Sequence, residues 1–205
     1  MTTTNNSDIK EKIVVIGASA GAINSLTPIL QKFPSDFSIP ILITQHLSSF
    51  FYNLDWVINL VKKKCSIDVK IAENGVYPRP GVAYICPPAK HMEITLNNGK
   101  PCLKISINNK INKGMPSIDK LFSSAAEIYK ENTIAVILTG LMIDGVIGLT
   151  KIKKANGLTI IESEEEGNLF GVSNQNGNDE IASFKAPGKE IPNIIMDFLG
   201  YNIIF

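Results

Sequence analysis

One serine in this chain stands where a folded protein places a nucleophile. Residues 13–17 form the apolar run Ile-Val-Val-Ile-Gly, which is typical of a buried strand, and residues 17–21 form the turn Gly-Ala-Ser-Ala-Gly. Small residues let the backbone turn sharply from a strand into a helix, so that a hydroxyl projects at the strand's carboxyl end beside helix N–H groups. Ser19 is therefore a candidate nucleophile for acyl transfer. A plain strand-to-helix turn and a phosphate-binding loop of the dinucleotide type fit the same residues.

A serine nucleophile needs a general base, and the chain contains two histidines. His46 ends the apolar run at 39–45, so we expect it at the carboxyl edge of a parallel sheet, where ligands of open α/β sheets bind. His91 follows Pro-Pro-Ala-Lys, which is typical of a surface turn beside the site or of a simple loop. We predict His46 as the base. If His91 lines the cleft, its replacement by glutamine should change substrate affinity more than turnover.

The acid that orients the histidine should come from the end of a third strand. Residues 133–138 form a third strand-like run, and Asp144 lies just beyond it, between Gly140 and Gly145. A carboxylate at that edge can reach a neighbouring imidazole. A turn aspartate, or a helix N-cap ahead of Val146, fits the same position.

The order of these residues along the chain narrows the choice. The α/β-hydrolases place the acid before the histidine, whereas this chain has Ser19, His46 and Asp144 in that order. A dinucleotide site needs an acid near the end of the second strand, where this chain has Gln45 and His46. Both of those classes are therefore disfavoured.

In order and spacing these residues resemble the methylesterase domain of the bacterial chemotaxis enzyme CheB, the protein-glutamate methylesterase. The resemblance is carried by the nucleophile turn at 16–21, by the Gln45-His46 pair and by the segment 137–145 that contains Asp144. Weaker similarities lie at Glu73-Asn74-Gly75, at 80–88, at His91 and at 116–126. Together they cover nearly the whole chain.

The resemblance implies a serine hydrolase that removes methyl groups from glutamate methyl esters of chemoreceptors, releasing methanol, with deamidation of receptor glutamines as a related activity. In the implied triad, Ser19 attacks the side-chain carbonyl, His46 transfers the proton and Asp144 holds the imidazole. The backbone N–H groups of Ala20 and Leu141 are the implied oxyanion donors. No cofactor and no metal are expected. The implied partners are the cytoplasmic helices of methylated chemoreceptors.

Several residues depart from the family's usual pattern. Leu141-Met142-Ile143 stands where the family has Met-Gly-Asn, Met115 where it commonly has arginine, and Val172-Ser173 where it has Met-Pro. Within the nucleophile turn, Ala20 replaces a threonine. These departures leave an alternative open: a divergent or non-catalytic relative that acts as a regulatory or binding module, or on another ester.

The elements that must position these residues alternate between strand-like and helix-like segments. Apolar strand-like runs occupy 13–16, 39–45, 69–72, 82–86, 133–138 and 158–161, and helix-like runs occupy 25–32, 54–64, 117–129 and 146–155. The turn Asn97-Asn98-Gly99 predicts one antiparallel hairpin, between 93–96 and 102–107, inserted in this scheme. We predict an α/β protein with three layers, α/β/α, built on a mostly parallel, doubly wound sheet.

Composition excludes several other classes of protein. A formal net charge of +1 gives no basic surface for nucleic acid, so no nucleic-acid partner is expected. Three cysteines without C-x-x-C spacing predict neither a zinc site nor a disulfide framework, which favours the cytoplasm. No apolar stretch is long enough for membrane insertion.

We expect a flexible N-terminal tail at 1–12, one catalytic domain at 13–200 and a short C-terminal end at 201–205. The family's best-known architecture places a phosphoacceptor receiver domain before the esterase, and only a dozen residues precede the first predicted strand here. The sequence predicts an enzyme without an attached receiver, working alone or with a separate response-regulator receiver protein, or a piece of a longer protein.

Overall fold

A computed structural model of the protein describes residues 9–18, 23–46, 58–59, 61–107, 116–138, 144–163 and 181–201. Nine strands lie in these ranges: β1 Ile13–Ala18, β2 Ile41–Gln45, β3 Asp68–Ile71, β4 Val82–Ile85, β5 His91–Asn97, β6 Lys100–Ser106, β7 Thr133–Ile137, β8 Leu158–Glu162 and β9 Phe184–Ala186. The helices bounded there are α1 Ile23–Gln31, α2 Ile118–Tyr129, α3 Val146–Lys154 and α4 Ile191–Phe198, with a single 3₁₀ turn at Lys130–Asn132.

Seven strands form the main sheet, in the order β3-β4-β2-β1-β7-β8-β9, and every neighbouring pair is parallel. In the register of the central strands, Gly17 of β1 lies between Thr44 of β2 and Ile137 of β7. Strands β2, β4 and β3 lie on one side of β1, and β7, β8 and β9 lie on the other. Because β1, β2 and β7 are parallel, their carboxyl ends lie at the same edge of the sheet. Open α/β sheets bind their ligands at such an edge.

The strands β1, β2, β7 and β8 are buried along their whole length, because both faces of the sheet are covered. Alternate residues of each strand point to opposite faces. One face packs Val14 and Ile16 against α1 and α4, through Leu26 and Ile195. The other face packs against α2, α3 and the hairpin through residues that include Ile118, Phe122, Leu149, Ile152, Met92 and Leu103. The predicted three-layer α/β/α fold is confirmed.

The hairpin was predicted at the right place, but it does not join the main sheet. Among the strands that the structure describes, β5 and β6 pair with each other alone, antiparallel, with His91 opposite Ser106 and Asn97 opposite Lys100. Instead of extending the sheet, the hairpin packs on α2, where the amide of Ile94 donates to Ser124 Oγ at 2.9 Å. The seven-stranded sheet is consequently purely parallel rather than mixed.

The predicted helices at 25–32, 117–129 and 146–155 correspond to α1, α2 and α3, shifted by one or two residues at their ends. Of the helix predicted at 54–64, the structure describes residues 58, 59 and 61–64: residues 58, 59, 61 and 62 are helical, and residues 63 and 64 form a turn. Strand β9 and helix α4 had no counterpart in the sequence analysis. Within the part of the chain that the structure describes, no helix has the length and apolarity needed to cross a membrane.

Candidate active site

A backbone hydrogen bond joins the carboxyl ends of β1 and β2, next to the predicted catalytic residues Ser19 and His46. The amide of His46, directly after β2, donates to the carbonyl of Ala18 at 2.8 Å. Ala18 is the last residue of β1, and Ser19 follows it in the sequence. On the other side of β1, the amide of Leu138, after β7, donates to the carbonyl of Gly17 at 2.9 Å. The three strands that carry the predicted triad are therefore adjacent.

His46 and Asp144 meet at this edge. His46 Nε2 lies 3.0 Å from Asp144 Oδ2, and the two residues are 98 positions apart in the chain. The imidazole side chain is 21% exposed, whereas that of the carboxylate is only 2% exposed. The histidine can thus meet a substrate from solvent while the aspartate stays behind it. With Nε2 turned to the carboxylate, Nδ1 is the ring nitrogen left for another partner.

Asp144 accepts three further hydrogen bonds, all from the start of α2. The amides of Ile118 and Asp119 donate to its Oδ2 and Oδ1 at 2.7 and 3.0 Å, and Ser117 Oγ donates to Oδ1 at 3.1 Å. A helix N-terminus carries unpaired N–H groups and a partial positive charge, both of which favour a carboxylate. The sequence alternative of an N-cap for the helix at Val146 is wrong, since Gly145 is that N-cap and Asp144 caps α2 instead.

Two glycines allow α2 to come this close to the sheet edge. A Cβ on Gly17 would lie 2.6 Å from Ile118 Cγ2, and one on Gly145 would lie 2.8 Å from the same methyl group. Both distances are far shorter than van der Waals contact. Gly145 also has φ = +105°, which a side chain would disfavour. Because the Ile118 side chain fits against both glycines, the backbone amide of Ile118 comes within hydrogen-bond distance of Asp144.

These contacts change the acidity of Asp144. Burial alone would raise the pKa of the carboxyl group, but the hydrogen bonds from His46 and from the amides of Asp119 and Ile118 outweigh burial and lower the pKa below its ordinary value. The group is therefore a carboxylate at neutral pH, able to hold the imidazole in the tautomer that carries its proton on Nε2 and to stabilise an imidazolium.

His91 is not on a surface turn. It is the first residue of β5 and is fully buried, so the expectation of a loop residue was wrong, and its side chain cannot line an open cleft. Its Nδ1 accepts the amide hydrogen of Ser117 at 3.0 Å. Ser117 itself was missed as a site residue. The available signal was its position, a serine one residue before a helix, which is typical of an N-cap.

Ser19, Ala20 and Leu141 lie outside the described residues, as do Met115, Met142 and Val172-Ser173. The structure thus brings together His46 and Asp144 and leaves the nucleophile and the two oxyanion donors as predictions. Among the residues that it does describe, no three His, Cys, Asp or Glu side chains are grouped as a metal site would require.

Comparison with known proteins gives this arrangement a context. The family model described as CheB methylesterase matches residues 14–195. Protein-glutamate methylesterase/protein-glutamine glutaminase of Thermotoga maritima is 35% identical over 191 residues, 93% of this chain and 55% of the relative. The protein of the same name from Pyrococcus horikoshii is 35% identical over 188 residues, 89% of this chain and 49% of the relative.

A putative protein-glutamate methylesterase/protein-glutamine glutaminase of Leptospira interrogans is 39% identical over 149 residues, 73% of this chain and 75% of the relative. The crystal structure of the Thermotoga maritima CheB methylesterase catalytic domain superposes with a TM-score of 0.85 at 35% identity, covering 93% of this chain and all of that domain. The chain spans about half the length of the Thermotoga and Pyrococcus proteins and matches the whole of the crystallised domain.

Proposed function

This chain belongs to the CheB methylesterase family, and from that premise we propose that it is a serine hydrolase that removes methyl groups from glutamate methyl esters of chemoreceptors. The observation that carries the proposal is the pair formed by His46 and Asp144, 3.0 Å apart at the sheet edge where Ser19 follows β1. Relatives named for glutaminase activity support deamidation of receptor glutamines as a second reaction of the same site.

In the proposed reaction, Ser19 Oγ attacks the carbonyl carbon of the ester while His46 Nδ1 takes the hydroxyl proton. Nδ1 is the base because Nε2 is held by Asp144. The tetrahedral intermediate collapses as His46 returns the proton to the leaving methoxy oxygen, so that methanol departs and an acyl-serine remains. Water, deprotonated by His46, then releases the glutamate carboxylate and restores Ser19.

The developing oxyanion needs hydrogen-bond donors, and we assign them to the backbone amides of Ala20 and Leu141. In the sequence, Ala20 follows β1 by two residues and Leu141 follows β7 by four, and these two parallel neighbouring strands end at the same sheet edge. Loss of one such donor costs about 10²–10³ in rate in a serine hydrolase. No cofactor or metal takes part in this scheme.

The proposed partners are the cytoplasmic helices of methylated chemoreceptors, and the proposed compartment is the cytoplasm. Three free cysteines, Cys65, Cys86 and Cys102, fit a reducing compartment. We propose one catalytic domain at 13–200. Neither nucleic acid nor membrane insertion has a role in the proposed activity.

The test is methanol release from a methylated chemoreceptor signalling fragment. The unaltered chain, Ser19→Ala and the control Ser35→Ala are compared at equal concentration. Ser35 is an exposed serine between α1 and the amino end of β2, away from the carboxyl edge of the sheet. In parallel, each protein is treated with a serine-reactive fluorophosphonate and the modified residue is identified by mass spectrometry. His46→Ala is included because labelling of an activated serine requires its base.

Methanol release by the unaltered chain and by Ser35→Ala, but not by Ser19→Ala, is the expected result. Labelling of Ser19 without methanol release would contradict chemoreceptor esters as the substrate. It would support a serine hydrolase that acts on another ester. Absence of both labelling and methanol release would contradict the proposed serine hydrolase activity and would favour a non-catalytic relative.

A further inference from the structure

The hydrogen bonds around Asp144 continue one step further from the reacting atoms, into the core beneath the hairpin. Ser117, which donates to Asp144 Oδ1 through its hydroxyl, donates through its amide to Nδ1 of the buried His91. The resulting chain of contacts runs from His91 through Ser117 and Asp144 to His46. The reaction proposed above uses only the last two of these residues.

Ser117 occupies the N-cap position of α2, yet its side chain makes no hydrogen bond to its own helix. An N-cap serine usually accepts the amide hydrogen of the second or third helical residue. Here the carboxylate of Asp144 accepts the amides of Ile118 and Asp119 instead. The hydroxyl of Ser117 therefore does not cap its own helix and instead donates a hydrogen bond to Asp144.

The position of Ser117 therefore decides the position of three of the four donors to Asp144 among the described residues, namely its own hydroxyl and the two amides that follow it. What fixes the Ser117 backbone is the imidazole of His91, 3.0 Å from its amide and 0% exposed. Since Nδ1 of His91 accepts a hydrogen, the ring holds its proton on Nε2.

We propose that His91 is a positioning residue for the catalytic pair: through the Ser117 backbone it holds the donors that fix Asp144 against His46. In this role it acts through Ser117 rather than on the substrate, because its side chain is fully buried and its Nδ1 is bonded to the Ser117 amide. The proposal rests on the proposed function for its link to turnover, but the geometry it describes exists without a substrate. It also gives the hairpin a task, because β5 delivers the imidazole from its first residue.

Two substitutions of His91 separate positioning from simple packing. His91→Asn keeps an amide oxygen close to the place of Nδ1 and so retains an acceptor for the Ser117 amide, whereas His91→Leu fills similar space without any acceptor. Ser117→Ala removes the hydroxyl bond to Asp144 and leaves both amides in place. Each variant is checked for folding by circular dichroism, and its competent sites are counted by complete fluorophosphonate labelling of Ser19.

For the methanol-releasing reaction, we expect His91→Leu to lower kcat per labelled site on the order of 10–100-fold, as a displaced catalytic group does. KM should stay within about twofold, because no contact with substrate is lost. His91→Asn should recover most of the rate. Equal rates per site in all variants, or equal losses in His91→Asn and His91→Leu, would overturn the positioning role.

An activity-independent measurement keeps this test separate from that of the function. The chain has two histidines, so in His91→Leu every imidazole nitrogen signal belongs to His46. At about pH 9, where an ordinary imidazole is neutral, ¹⁵N NMR reports the ring tautomer. We expect the Nε2–H form to dominate in the unaltered chain and in His91→Asn, and the Nδ1–H form to gain population in His91→Leu and Ser117→Ala.

An unchanged tautomer population in His91→Leu would contradict the positioning role of His91 even in a protein with no esterase activity. Conversely, a redistributed population together with no labelling of the unaltered chain would leave the positioning role standing and remove the proposed function. If His91→Leu does not fold, the smaller His91→Val, which also lacks an acceptor, takes its place in the same kcat and tautomer measurements. In the unaltered chain, a His91 ring that carries its proton on Nδ1 would by itself contradict the positioning role, because that nitrogen could not accept the Ser117 amide hydrogen.

Discussion

Asp144 and Asp119 each cap a helix that begins next to the other. Asp144 Oδ1 accepts the amide of Asp119 in the first turn of α2 at 3.0 Å, and Asp119 Oδ1 accepts the amide of Gly148 in the first turn of α3 at 2.8 Å. Helix α3 starts two residues after Asp144. The N-terminal regions of the two helices are therefore joined by reciprocal capping hydrogen bonds. Asp144, which holds His46, makes one of these bonds.

This arrangement links catalysis to stability. A carboxylate free to rotate would orient an imidazole poorly, but Asp144 is held by four hydrogen bonds and is almost fully buried. Each helix N-terminus also favours the negative charge placed on it. The Asp144 carboxylate is thus held in one orientation because it is part of the contact between α2 and α3.

Replacement of Asp144 by asparagine should therefore damage both rate and stability. Asparagine is nearly isosteric, but it carries no charge and presents one oxygen where two accept hydrogen bonds now. Loss of the triad carboxylate costs about 10⁴ in kcat in a serine protease, and we expect a loss on the order of 10³–10⁴ here. The free energy of unfolding should fall by about 1–3 kcal/mol. Fluorophosphonate labelling rates and urea denaturation measure the two effects.

The control is Asp36→Asn, which alters an exposed aspartate and should leave both quantities unchanged. If Asp144→Asn labelled Ser19 as fast as the unaltered chain, Asp144 could not be the residue that orients the base. A normal free energy of unfolding in that variant would contradict the capping role.

Acidification should erase the stability advantage of Asp144. Although burial opposes it, hydrogen bonding lowers the pKa of this carboxyl in the folded protein relative to the unfolded chain. A lowered folded pKa contributes stability in full above the unfolded value of about 3.9, and that contribution is lost as pH falls through the folded pKa. The difference in unfolding free energy between the unaltered chain and Asp144→Asn should thus be constant near neutrality and shrink below about pH 4.

Urea denaturation of both proteins between neutral and acidic pH measures this difference, because groups common to the two proteins cancel. Asp68→Asn is the comparison: despite partial burial, ion pairs with Lys70 and Lys62 lower the pKa of Asp68, but its side chain is 36% exposed and the pairs are screened by water. A pH-independent difference for Asp144→Asn would show that its hydrogen bonds do not depend on its charge.

The sequence predicted the strands that carry the site because each is a short apolar run that ends in residues with chemical groups. Ser19 and His46 were each predicted at the carboxyl end of an apolar strand, and β1 and β2, the strands that precede them in the sequence, pair in parallel. The resemblance to a family placed Asp144 beside His46, which the 3.0 Å contact matches. These parts of the site could be predicted because they depend on local apolar patterns and on the order of the motifs along the chain.

What escaped prediction depends on tertiary contacts. Strand β9 has three residues, two of them exposed, and offers no apolar run. No local pattern shows that Asp144 caps a helix that begins 26 residues before it, or that His91 lies in the core against Ser117. The proline-rich approach to His91 is typical of a turn, and the burial of the residue comes from the hairpin packing on α2.

Cys86 should resist thiol reagents in the folded protein. Burial raises the pKa of its thiol to about 12, against a weaker lowering effect of Lys90, and only the thiolate is nucleophilic. Cys102 is buried as well, whereas Cys65 is partly exposed. Iodoacetamide at about pH 8 should therefore modify Cys65 first, slowly because burial also raises its pKa. Intact-mass analysis should show one adduct before unfolding and three in denaturant, and rapid modification of Cys86 would contradict its burial.

A methyl group added at Gly17 should push α2 away from the active site. Its Cβ would lie 2.6 Å from Ile118 Cγ2 and 3.0 Å from Ile118 Cδ1, and both atoms belong to a fully buried side chain. We expect Gly17→Ala to cost about 1–3 kcal/mol of stability through overpacking and to slow labelling of Ser19, because the Ile118 amide is displaced from Asp144. Ile118→Ala alone should cost about 2–5 kcal/mol through the cavity that it leaves.

In the double variant, the methyl group at position 17 occupies part of the space that isoleucine vacates, so the two losses should not add. Urea denaturation of the four proteins gives the coupling free energy, and we expect the double variant to be more stable than the sum of the single losses predicts by about 1 kcal/mol or more. Labelling of Ser19 should follow the same pattern, with the double variant faster than Gly17→Ala. Strictly additive losses would show that Gly17 and Ile118 are not in contact and that the approach of α2 to Asp144 has another cause.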